Sequence, residues 1–187
     1  MRKIKINKWK IIPGLVFLLI SGNTAANYWE IPAAEKALLP PFCTHGYKKY
    51  NIKDQLYMNH LCPGLYALSS AQRIFENNTA KKDALQEAAG HFSYTLLHVQ
   101  DFPFRSTVFI KRGTVYEMQG NMPKALADYQ EAIRIKPQNI HAYSALANAY
   151  LKMGNKAEAA KIIEVGLKIK PSSKMLLSVK RNITGKK

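Results

Sequence analysis

The strongest constraint in this chain is that the stretch from Ser106 to Ser173 states one pattern twice, at an interval of 34 residues. Tyr116 falls over Tyr150, Gly120 over Gly154, Ala125 over Ala159 and Pro137 over Pro171. Small residues coincide as well, Gly113 with Ala147 and Ala132 with Gly166, and Phe109 sits over Tyr143. Both units close on the same phrase, Ile135-Lys136-Pro137 and Ile169-Lys170-Pro171. A period of this length belongs to stacked helix–turn–helix units, each of which buries its apolar face only on its neighbours.

Each unit reads as two helices. Gly120-Asn121-Met122-Pro123 is a stop followed by a start, since glycine suits the left-handed residue after a helix and proline suits a first turn. Leu126, Tyr129, Gln130 and Ile133 then recur at helical spacing until Pro137, which restricts the residue before it and donates no backbone bond. The second unit repeats this with Tyr143, Leu146, Ala147 and Tyr150, a break at Gly154-Asn155, and then Ala159, Ile162, Ile163 and Leu167.

This order of large, small, aromatic, alanine, aromatic, alanine and proline positions resembles the tetratricopeptide repeat over two 34-residue units, 106–139 and 140–173. The departures are Arg112 where leucine is usual, Ile163 at an aromatic position and Gly166 where alanine is usual. The resemblance implies an all-α helical solenoid whose first helices line a concave face that binds extended peptides or partner helices. Carried over by position, it places Thr107, Ile110, Thr114 and Glu117 on that face in one unit and His141, Ser144, Asn148 and Lys152 in the next. Asn148 matches an asparagine that some family members use to grip a peptide backbone. The lysines of the carboxylate-gripping subclass do not line up, so capture of a C-terminal carboxylate is not expected. Lys111 and Lys152 make a basic rim, which favours an acidic segment.

Around the repeats the chain divides into further pieces. Residues 1–26 run from basic Met1–Lys10 through apolar Ile11–Ile20 to small, polar Ser21–Ala26, the layout of a secretory signal peptide with cleavage expected before Asn27. Ten apolar residues are about half of what a membrane-spanning helix needs, although an uncleaved segment would leave the protein membrane-anchored. Residues 27–71 form a Cys-bearing helical N-terminal cap, with a helix beginning near Pro63 and an apolar stripe of Leu61, Leu65, Leu68 and Phe75. Cys43 and Cys62 read first as one disulfide in an exported protein. The mirror-image pairs Cys43/His45 and His60/Cys62 offer a second reading, a Cys₂His₂ metal site. Leu39-Pro40-Pro41-Phe42-Cys43 and His60-Leu61-Cys62-Pro63-Gly64-Leu65 also resemble the leading segment of some exported bacterial tetratricopeptide proteins.

Residues 72–105 lie where a third unit belongs, since Phe75 and Pro103 stand 34 before Phe109 and Pro137. The middle agrees poorly, so a degenerate helical hairpin is expected there, with Leu85, Ala88, Ala89, Phe92, Leu96 and Val99 forming its clear apolar helix. Residues 174–187 supply a capping helix, entered at Ser172-Ser173, and a basic tail.

Charge and motifs narrow the function. The chain holds 28 basic residues against 12 acids, a formal +16, and removing residues 1–26 still leaves +11. That excess favours anionic surroundings such as lipid headgroups, polyanionic glycans or an acidic partner. There is no Gly-rich phosphate loop, nucleophile elbow or His-Glu-x-x-His, so neither an enzyme nor a cofactor is expected. The leading reading is an exported, periplasmic adaptor that helps assemble an envelope complex (secretion, pilus or polysaccharide machinery) by binding a protein partner. A metal carrier built on Cys43, His45, His60 and Cys62 is the second, and a polyanion or membrane-surface binder the third. No nucleic-acid partner is expected.

Overall fold

A computed structural model describes residues 39–44, 55–76, 78–98 and 102–185. The expected signal segment and His45 lie outside them. Among the described residues every regular element is a helix: α1 (Pro41–Thr44), α2 (Gln55–Arg73), α3 (Thr79–His98), α4 (Arg105–Met118), α5 (Met122–Ile135), α6 (Ile140–Lys152), α7 (Lys156–Ile169) and α8 (Lys174–Thr184). The helices pair as antiparallel hairpins, α2 with α3, α4 with α5 and α6 with α7, and the hairpins stack. Successive first helices, α2, α4, α6 and α8, touch one another, whereas α3, α5 and α7 meet each other at most marginally. The first helices therefore form a layer packed more closely than that of the second helices.

The backbone repeats as the sequence does. Gly120 and Gly154 take left-handed φ of 78° and 77° after α4 and α6. The next residues, Asn121 and Asn155, cap α5 and α7 by accepting from the backbone N–H of Lys124 and Glu158. Lys136 and Lys170, each before a proline, leave the helix at φ −137°, ψ 82° and φ −138°, ψ 84°. Ser106 ties the first unit to the second: its hydroxyl donates to the Ala132 carbonyl at 2.8 Å and accepts from the Asn139 side chain at 2.9 Å. Asn139 also caps α6 through the N–H of His141.

Within each hairpin a small residue admits a large one. A Cβ on Gly113 would lie 2.6 Å from the Tyr129 ring, so only glycine permits that approach. At the same positions one period later Ala147 and Ile163, both fully buried, form the complementary pair, a larger side chain facing a smaller one. In the first hairpin Gly64 faces Phe92, where an added Cβ would meet the ring at 2.9 Å.

That first hairpin corrects the expected frame. Residues 72–105 hold one complete helix, α3, and its partner is α2, which begins at Gln55 and carries Pro63 inside it. The facing pair Gly64 and Phe92 is 28 residues apart in the chain, where Gly113 and Tyr129 are 16 apart. Both helices are longer, 19 and 20 residues against 14 and 14, so an interval of 34 cannot align them. Phe75 accordingly lies beyond the end of α2 and is 98% exposed, while Leu61, Leu68 and Ala71 do form the buried stripe.

The two ends are closed differently. Cys43 and Cys62 are joined as a disulfide, both buried, which fastens α1 to α2. Phe42 stacks on Phe104 at 5.2 Å between ring centroids and fixes the same segment to the turn before α4. At the far end α8 buries Leu176 and Val179 on the last hairpin, with the Leu176 methyl seated against Gly166. Arg181 stands where Gly113 and Ala147 stand in the preceding first helices.

One polar contact crosses three helices. The Arg112 guanidinium donates to both carboxylate oxygens of Asp128, at 2.8 and 2.7 Å, and to the Ser93 hydroxyl at 3.2 Å. It also lies 5.4 Å from the centroid of the Phe109 ring and 5.6 Å from that of Tyr116. Asp128 is only 5% exposed, and its ion-pair partner among the described residues is Arg112. Asp128→Ala should therefore cost about 3–5 kcal/mol in urea unfolding, whereas the pair Arg112→Met and Asp128→Leu should restore most of it. A loss below about 1 kcal/mol for Asp128→Ala would show that the ion pair is not a structural tie.

Candidate functional site

The layer of first helices contains a cleft of about 480 Å³ between α4 and α6, lined by Thr114, Glu117, Tyr129, Ala145, Asn148, Leu151 and Lys152. Thr114 and Glu117 are one turn apart on α4, and Ala145, Asn148, Leu151 and Lys152 follow one face of α6. Tyr129 arrives from behind. Its ring is buried against Gly113, and its hydroxyl reaches the Thr114 and Glu117 side chains that line the cleft. That hydroxyl donates to Glu117 Oε2 at 2.8 Å and lies 3.5 Å from Thr114 Oγ1, which itself donates to the Ile110 carbonyl. Burial, and then the carboxylates of Glu117 and Asp128, push the Tyr129 phenol well above its ordinary pKa, so it remains a donor. The second oxygen of Glu117 pairs with Lys152 Nζ across the cleft. The two partners differ in freedom, the Glu117 side chain being 13% exposed and that of Lys152 65%. The Asn148 amide lines the same cleft and has no side-chain hydrogen bond within the described residues.

Of the nine residues expected on the concave face, the cleft gathers Thr114, Glu117, Asn148 and Lys152. Thr107 is exposed outside it, Ile110 packs toward the core and Ser144 is buried. His141 lines a separate cleft with Gln138, Ile140, Ile169 and Lys170. Lys111 lines another, with Leu39, Pro40, Leu65, Leu68, Ser69 and Gln72. The expected basic rim therefore does not form as one surface: Lys111 lies toward α2, and the charge of Lys152 is offset by Glu117. The repeat position of Tyr129 marks it as core, and its hydroxyl is what the pattern hides. The available signal is tyrosine where the next unit has Ile163.

Three residues of the alternative metal set lie among the described ones, and His45 lies outside them. The two sulfurs are bonded to each other and so are not thiolate ligands. His60 turns to α3 instead, its Nδ1 3.1 Å from His91 Nδ1 and its ring stacked on Tyr94 at 3.8 Å. Among the described residues no group of three or more His, Cys, Asp or Glu is placed to hold a metal.

Comparison with known proteins bears on the repeats directly. Residues 113–154 match the family described as TPR repeat, and residues 140–173 match the one described as tetratricopeptide repeat. Residues 113–173 are thus similar to tetratricopeptide repeats. An Hsp70-Hsp90 organizing protein of Triticum aestivum is 33% identical to this chain over 91 residues, 49% of this chain and 15% of that protein. The chain thus spans a small fraction of that relative's length. A thermophilic TPR protein of Thermus thermophilus superposes with a TM-score of 0.61 at 19% identity, over 85% of this chain and 78% of its own. The Sgt2 TPR domain of Aspergillus fumigatus gives 0.56 at 17% identity, over 71% and 80%. At these identities the two structures establish the shared fold.

The histidine contact carries a pH dependence. Burial first, then the charges of His91 and His98, hold His60 below its usual pKa of 6.5. The unfolded chain therefore binds more protons at this site, and the stability it contributes is complete above that value and lost as pH falls through the lower folded one. Urea midpoints should fall between pH 7.5 and 5, and His60→Asn should shrink the fall. An equal fall in both proteins would remove His60 as a cause.

Proposed function

We propose that this chain is a non-enzymatic adaptor that binds an extended segment of a partner protein along the cleft between α4 and α6. The observation that carries the reading is Asn148, an amide with no side-chain hydrogen bond among the described residues, set in a cleft on the inner face of two TPR-like hairpins. An extended backbone offers one N–H and one C=O per residue, and a side-chain amide can meet both. The remaining lining offers hydroxyls, short apolar surface and one ion pair, which suit a peptide better than a reactive small molecule. The relative named for organizing Hsp70 and Hsp90 agrees with an adaptor role.

In this proposal the adaptor works outside the cytosol, in the periplasm, helping to assemble or stabilise an envelope complex. Support comes from the basic–apolar–small layout of residues 1–26 and from the buried Cys43–Cys62 disulfide, a bond suited to oxidising compartments. Asn148→Ala should weaken partner capture from envelope extract about tenfold, the loss of roughly 1–1.5 kcal/mol of hydrogen bonding. A photo-crosslinker placed at 148 should trap the partner, and one at exposed Lys168 on the outer helix α7 should not. Capture by Asn148→Ala equal to wild type, with crosslinks only from 168, would remove the cleft from the function.

A further inference from the structure

We propose that the cleft selects a segment carrying a basic side chain, and that Glu117 is the residue that receives it. This rests on the cleft being the partner site. The reason lies in which of its two charges is fixed. Glu117 is largely enclosed, and one of its oxygens is held by the hydroxyl of Tyr129, whose ring cannot shift away because Gly113 and the surrounding core enclose it. Lys152 is mostly in solvent, on a flexible four-carbon stem. The other lining residues, Thr114, Tyr129, Ala145, Asn148 and Leu151, are uncharged. The stationary charge of the cleft is therefore negative, and Lys152 occupies its open oxygen in the free protein.

An incoming carboxylate would meet Lys152 only beside Glu117, and like charges at that range repel. An incoming ammonium or guanidinium would exchange with the Lys152 ammonium on Glu117, while Lys152 swings into water. The exchange leaves the Glu117 carboxylate paired, one cation replacing another, so it costs little. The basic side chain would arrive with its own backbone beside Asn148, which the internal lysine cannot supply. The net positive charge of the whole chain opposes this only weakly, because distant charges are screened beyond about 8 Å at physiological salt.

The test is an NMR titration of the intact chain at physiological salt with three capped five-residue peptides of serine and alanine, bearing a central lysine, glutamate or glutamine. The lysine peptide should shift the amides of Thr114, Ala145 and Asn148 and bind at least several-fold more tightly than the glutamate peptide. Glu117→Gln should erase that preference. Lys152→Ala should tighten the lysine peptide several-fold, because it removes the internal competitor. A glutamate preference, a lysine preference that survives Glu117→Gln, or weaker lysine-peptide binding by Lys152→Ala would overturn the inference and leave the cleft as a peptide site. If no peptide moves those resonances, the cleft reading fails and this inference falls with it.

Discussion

The approach of Tyr129 to Gly113 is the contact on which the rest of the molecule depends. It lets α4 and α5 close on each other with a large ring between them, at a distance no other residue at 113 would allow. Burying that ring leaves a hydroxyl needing a partner, and the geometry delivers it to the inner surface rather than to the core. Glu117 is then held from behind, and the polarity of the cleft follows from the packing of the hairpin. In the next unit the same positions hold Ala147 and Ile163, which have no hydroxyl to deliver. The two repeats share a fold, and they differ in what they present.

The stack is held in place at three points by different chemistry. At the head, a covalent bond and an aromatic stack fasten α1 to α2 and to the turn before α4. In the middle, Arg112 bridges three helices through Asp128 and Ser93. At the tail, α8 is apolar on the side it lays against α7 and carries Arg181 where the preceding first helices carry a small residue. A solenoid gains its stability from neighbouring units, and these contacts tie the units together.

Much of this was legible from residues alone, and the failures have physical causes. The span 106–173 was readable because glycine, proline and small residues recur where the backbone needs them, and the matching φ values at Gly120 and Gly154 show that need. The upstream hairpin was misframed because lengthening both helices preserves packing, with Gly64 against Phe92, while destroying the interval. Thr114, Glu117, Asn148 and Lys152 share one cleft because position on a first helix decides which way a side chain faces. Lys111 sits at the edge of that face and leans toward α2. Arg112, which looked like a mild departure from the repeat, is paired with an aspartate 16 residues away, and nothing in a periodic pattern marks such a pair. Tyr129 was read only as one of the residues recurring at helical spacing, and its second role depends on three-dimensional placement of one oxygen.

Removing that oxygen alone is the most direct measurement. Tyr129→Phe keeps the ring against Gly113 and frees the Glu117 carboxylate from its fixed donor. The melting temperature should fall by only a few degrees, as for one lost hydrogen bond of about 1 kcal/mol, while the preference for the lysine peptide over the glutamate peptide falls by several-fold. A variant that retains the full preference would contradict the link between hairpin packing and the charge that the cleft presents.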